Sequence, residues 1–149
     1  MSDKNIIIFP TDFSTISLAA VPWGKRMASV MGAQLHVIYV LEEPHIYGTL
    51  EMGPLPIPTS EELAGSAEVR LAKFVDKNLS GLNQPAVAKV LIGRPAQEIV
   101  EYASDVGASM IVMALHGYSG VKHLILGSTT EAVLRHSQCP VFAVPDRQA

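Results

Sequence analysis

The sequence predicts a doubly wound α/β domain with one core. Three observations carry this: short apolar runs alternate with longer segments of helical period, most of those runs lack the in-out alternation of a one-sided sheet, and the length suits a single domain. A chain of 149 residues is near the commonest domain size and buries about two thirds of its unfolded surface. Apolar residues make up 48% and charged residues 17%, a balance that excludes a disordered chain and fits a sheet covered on both faces.

Five strands are expected at 5–10, 34–41, 86–93, 109–114 and 140–144. The third alternates visibly, with Val87, Lys89 and Leu91 offset from Ala88, Val90 and Ile92, and is expected at an edge or half-exposed. Four helices fall between the strands, at about 16–32, 59–80, 95–106 and 128–137. Thr59 or Ser60 is the N-cap of the second, with acids in its first turn, and Pro95 opens the third where its missing N–H costs nothing. Gly32, Gly81 and Gly107 follow helices where a left-handed residue is wanted. Trp23, Met27 and Met31 recur every four residues on the first helix and are expected to pack in the core. The Pro/Gly-rich stretch 42–60 is longer than most connections and reads as a surface excursion or a lid at the carboxyl edge of the sheet.

Charge and targeting signals narrow the function classes. Eleven basic against 14 acidic residues, net −3, provide no general attraction for nucleic acid or an anionic membrane. The N-terminal apolar stretch is short and ends at Pro10, well below a signal peptide or membrane span, so a cytoplasmic protein with no membrane partner is expected. Cys139 is the one cysteine and is expected as a small residue in or near the core. The five histidines do not fall at metal-ligand spacing, and no metal is expected from the residues; His116 reads as a solvent-facing loop residue.

In such a sheet, ligands bind beyond the carboxyl ends of the strands, so the residues after each strand matter most. Pro10, Thr11 and Asp12 follow the first strand; Asp12 can accept a hydrogen bond from a ligand or serve as a local cap. "GSTT" (127–130) opens the last helix, where free N–H groups and the helix dipole favour an anion. Gly127 allows close approach while Ser128 and Thr129 add hydroxyls, although the tetrapeptide alone fits an ordinary Ser128 cap better. Neither a Walker loop nor a G-x-G-x-x-G after the first strand is present. No nucleophile elbow, Cys-His pair or paired carboxylate stands at a strand end, so no catalytic residue is assigned.

These pieces together resemble one family over essentially the whole chain, the universal stress proteins. The resemblance is carried by "IIIFPTDFS", "LHVIYV", "GRPAQEIVEYA" (93–103), "SMIVMALHG" and "LGSTTEAVLRHSQCPVFAVP". It implies an open five-stranded parallel sheet in order 3-2-1-4-5 with helices on both faces, the adenine nucleotide alpha hydrolase-like fold. The family's nucleotide-binding branch carries G-x2-G-x9-G-[ST]; here the same gaps give Ala114-x2-Gly117-x9-Gly127-Ser128.

The resemblance further implies ATP as a regulatory ligand, with magnesium or manganese left open and hydrolysis slow at most. Asp12 and Val37 fall where that branch contacts adenine, the first by side chain and the second by backbone. Ala114 falls near the ribose, and Gly117, Gly127, Ser128 and Thr129 around the phosphates. Ala114 is the departure, tolerable if this position does not need a positive φ. A homodimer through the last strand is also implied, since that strand is apolar and leaves an edge bounded by Pro140 and Pro145. The alternative is a nucleotide-free dimeric interaction module of the same family.

Overall fold

A computed structural model describes residues 4–42, 59–116 and 126–146. Five parallel strands, β1 (Ile6–Pro10), β2 (Gln34–Leu41), β3 (Val87–Ile92), β4 (Met110–Ala114) and β5 (Val141–Val144), form one sheet in the order β3-β2-β1-β4-β5. The helices between them are α1 (Val21–Met31), α2 (Ser60–Asn78), α3 (Pro95–Asp105) and α4 (Ser128–His136). The expected strand order and alternation are both present. β3 lies at one edge, as expected, and has no fully buried residue, and β5 lies at the other.

Successive side chains of a strand point to opposite faces, and this divides the interior in two. Ile7, Phe9, Leu35, Val37 and Val112 pack on one face with Ala28 of α1 and Leu71 and Phe74 of α2. Ile8, Ile38, Ile111 and Met113 pack on the other with Ile99 and Ala103 of α3 and Val133 of α4. Full burial of an Ile, Leu, Val or Phe side chain is worth about 1.5–3 kcal/mol, so the central strands β1, β2 and β4 carry most of the stabilisation.

Local signals place the helices. Thr59 is the N-cap of α2: its hydroxyl accepts from the Glu62 N–H at 3.1 Å, and the Glu62 carboxylate accepts from the Thr59 N–H at 3.3 Å. Gly32 ends α1 at φ 59°, and Gly81 and Gly107 also have positive φ.

The first helical segment differs from expectation. Residues Ile16–Ala20 form a separate 3₁₀ segment, and the α-helix begins at Val21 with Pro22 in its first turn. An α-helix running through Pro22 would drive its ring against the carbonyl of Leu18 and lose a hydrogen bond, so the regular helix starts where the proline is tolerated.

Trp23 is a second correction. Met27 and Met31 pack against the core as their spacing predicts, but Trp23 is 40% exposed. Its ring lies 5.4 Å from that of Phe142 on β5, with the Arg26 guanidinium 5.6 Å over its face. Four-residue spacing fixes the side of a helix; it does not fix where the helix overhangs the sheet. Cys139 is free and half-buried, packed against the α3–α4 side of the core.

Candidate functional site

β1 and β4 are register partners at only two positions, Ile7 with Met110 and Ile8 with Ile111. Beyond them each strand continues its ladder with its outer neighbour. The Thr11 N–H donates to the Ile38 carbonyl at 2.9 Å, and the Leu115 N–H donates to the Val144 carbonyl at 2.7 Å. The strands thus part at the switch point of the sheet order, and a cleft opens at their carboxyl ends.

The cleft has a volume of about 520 Å³. Pro10, Thr11 and Asp12 line it from the end of β1, Ala114 from the end of β4, and Gly127, Ser128 and Thr129 from the start of α4. Seven of the residues picked out in the sequence therefore meet in one place. An apolar wall is formed by Ile38 and Val40 of β2, Pro95 and Ile99 of α3, and Met113 of β4. This combination of an apolar wall with a few convergent polar groups is characteristic of small-molecule sites.

Each polar group is held by its own local chemistry. Asp12 is exposed, and its Oδ1 accepts from the Ser14 N–H at 2.9 Å, which closes a local turn at the lip of the cleft. The 3₁₀ segment that follows has Thr15 at its N-cap with no side-chain cap bond, so the helix cap expected of Asp12 is not made. Thr11 is buried; its hydroxyl accepts from the Phe13 N–H at 3.1 Å and lies 3.4 Å from the Ser17 hydroxyl. Phe13 itself has φ 65°, the one positive φ of a non-glycine among the described residues.

At α4 the N-cap is Gly127 rather than Ser128, and no side-chain cap is made. A helix start leaves its first N–H groups without intrahelical partners, and here that start faces the cleft. It is anchored twice, to the last residue of β4 and to the residue that follows it. The Gly127 N–H donates to the Leu115 carbonyl at 3.2 Å, and the buried Thr130 hydroxyl donates to the Ala114 carbonyl at 3.0 Å.

Ala114 is 9% exposed and lies in strand backbone paired with Val144, so the position does not need a positive φ. The side chain of Val37 points away from the cleft. It is fully buried on the α1–α2 face, paired with Phe9 and Ala88, and the cleft wall is built farther along β2, from Ile38 to Leu41. Gly117 lies outside the described residues, as does most of the 42–60 stretch.

His116, expected to face solvent, is half-buried and lines the cleft. Thr130 and Tyr39 also line it without having been singled out. The second Thr of "GSTT" was the available signal for Thr130. For Tyr39 the sequence held none, because a tyrosine near the end of a buried strand reads as core. Among the described residues there is no group of three or more metal-ligating side chains, and no helix is long and apolar enough to cross a membrane.

The chain is 33% identical over 138 residues to universal stress protein MJ0531 of Methanocaldococcus jannaschii, covering 93% of this chain and 80% of that protein. The solved structure of protein MJ0577 of the same organism superposes with a TM-score of 0.70 at 26% identity, covering 97% of this chain and 98% of that one. A universal stress protein solved in complex with cAMP has the same fold, with a TM-score of 0.70 at 22% identity, covering 96% of this chain and 98% of that one. The model of the universal stress protein family matches residues 4–145, which takes in the whole sheet and every element that lines the cleft. The chain therefore belongs to the universal stress protein family.

Proposed function

We propose that this protein binds ATP as a regulatory ligand in the cleft between β1 and β4, and acts as a cytoplasmic stress-response protein. The observation that carries the reading is the convergence of Thr11, Asp12, Ala114 and the uncapped start of α4 on one cleft with an apolar wall. The apolar wall suits a base. The α4 N–H groups and the Ser128 and Thr129 hydroxyls suit phosphate oxygens, for which a helix start is favourable by dipole and by hydrogen bonding. The motif spacing of the family resemblance adds Gly117 to this phosphate set. A fold-mate solved with cAMP supports an adenine nucleotide as the ligand class.

ATP comes with magnesium or manganese on its phosphates. The protein holds the nucleotide rather than turning it over, with hydrolysis slow at most, because no lysine or arginine stands among the described residues that line the cleft to clamp a γ-phosphate.

The protein works as a homodimer through β5. That strand is an edge of the sheet, and beside it Leu18, Trp23 and Phe142 line an apolar groove. An uncovered apolar edge is a liability that a two-fold partner removes.

The test begins with protein purified without added nucleotide, then denatured and assayed for released adenine nucleotide, followed by binding measurements at millimolar ATP. Retained nucleotide or saturable binding supports the reading. A dimer with neither would establish the nucleotide-free interaction module instead.

A further inference from the structure

We infer that Phe13 is a positioning residue for the cleft, fixing the Thr11–Asp12 turn and the Tyr39 wall from behind; this rests on the nucleotide reading above for its functional consequence. Phe13 does not line the cleft, but it is bonded or stacked to residues that do. Its φ of 65° is a conformation that glycine adopts freely and that costs a bulky residue free energy. A glycine or asparagine would make the same turn at lower cost, so the ring must offset the strain by its contacts.

Those contacts are specific. The Phe13 ring lies 4.6 Å from that of Tyr39 and 6.0 Å, edge-on, from that of Phe74. The Arg70 guanidinium sits 4.5 Å over it as a cation–π partner. Two of these anchors, Arg70 and Phe74, come from α2, so the ring is pinned to the body of the domain.

The backbone of the same residue orders the turn. The Phe13 N–H donates to the Thr11 hydroxyl at 3.1 Å, and the next N–H, that of Ser14, donates to Asp12 Oδ1 at 2.9 Å. Releasing the ring frees the φ of Phe13, and with it the direction of the Asp12 carboxylate and the Thr11 hydroxyl. It also removes the support behind Tyr39. A ligand must then order the turn on binding, which weakens affinity without removing any group that touches it.

The experiment compares Phe13→Gly, which accepts the left-handed φ and so keeps the chain foldable, with Phe13→Tyr and with Phe74→Leu. The last loosens the same aromatic cluster without touching the turn. ATP affinity is expected to fall at least about tenfold in Phe13→Gly and to stay within about threefold in Phe13→Tyr and Phe74→Leu. A merely structural role would weaken binding in Phe13→Gly no more than in Phe74→Leu, and that result overturns the proposal. Amide exchange in the ligand-free protein, followed by NMR, provides a second readout. The Ser14 amide should exchange at least about tenfold faster in Phe13→Gly while the Ile8 and Ile111 amides in the sheet do not change. Unchanged Ser14 exchange also overturns the proposal. Faster Ser14 exchange in a protein that binds no ATP would refute the nucleotide reading and leave the positioning role standing.

Discussion

The hydroxyl of Thr130 donates a 3.0 Å hydrogen bond to the carbonyl oxygen of Ala114, joining the first turn of α4 to the last residue of β4. Both residues are buried, so this bond fixes the helix start relative to the sheet edge where the cleft opens. Replacement by the near-isosteric valine removes the donor and leaves the carbonyl short of a partner. Thr130→Val should cost about 1–2 kcal/mol in urea unfolding. It should also weaken nucleotide binding several-fold by calorimetry, whereas Ser128→Ala, at an exposed position, should leave stability nearly unchanged.

Gly24 lets α1 lie directly against Phe9 of the sheet. A Cβ built there would stand 2.8 Å from Cδ2 and Cε2 of the fully buried Phe9. Helix propensity alone would favour alanine by about 1 kcal/mol at this helical position. The steric conflict should dominate, and Gly24→Ala is expected to destabilise by about 1–3 kcal/mol in urea unfolding. A stabilised variant would mean that α1 can move away from Phe9 at little cost.

His36 and Tyr102 join β2 to α3, with Nδ1 of the histidine 2.8 Å from the tyrosine hydroxyl. Burial lowers the His36 pKa below its ordinary value of 6.5 and raises that of Tyr102 above 10.0. Because the folded form holds the proton less tightly than the unfolded form, this site's contribution is fully present above the unfolded pKa. It is lost as pH falls through that value towards the lowered folded one. The wild type should therefore lose more stability than His36→Gln between about pH 7 and pH 5 in denaturant melts. Parallel losses in the two proteins would exclude His36 as the source.

Trp23 reports on the β5 edge. It stacks on Phe142 beside the outer strand, so dimerisation through that strand should shield it. Phe142→Asp is expected to give a monomer in light-scattering measurements and a red-shifted tryptophan emission, with the parallel sheet retained. A dimer with wild-type emission would place the interface elsewhere.

Much of this was legible in the sequence. The β/α alternation, the edge position of β3 and the glycines after the helices follow from local periodicity and backbone sterics, which short stretches encode directly. Of the cleft, the residues that follow strands were legible, because topology alone brings Thr11, Asp12, Ala114 and Gly127 together. What failed depended on distance along an axis. Trp23 lies on the expected side of α1 but beyond the core. The Gly127 cap and the positive φ of Phe13 depend on tertiary anchors, Leu115 and Ala114 for one and Tyr39, Phe74 and Arg70 for the other, and no local pattern reports them.

The central claim is that the start of α4 holds the phosphates of an adenine nucleotide, and calorimetric titration of ATP into the wild type and into Gly127→Val tests it most directly. Gly127 has φ −57°, which a side chain can adopt, so valine should leave the fold intact while its methyl groups occupy the approach to the helix N–H groups. The account predicts saturable ATP binding to the wild type, weakened at least about a hundredfold in the variant, with unchanged circular dichroism. Equal affinity in the two proteins, or no heat with either at millimolar ATP, would contradict it.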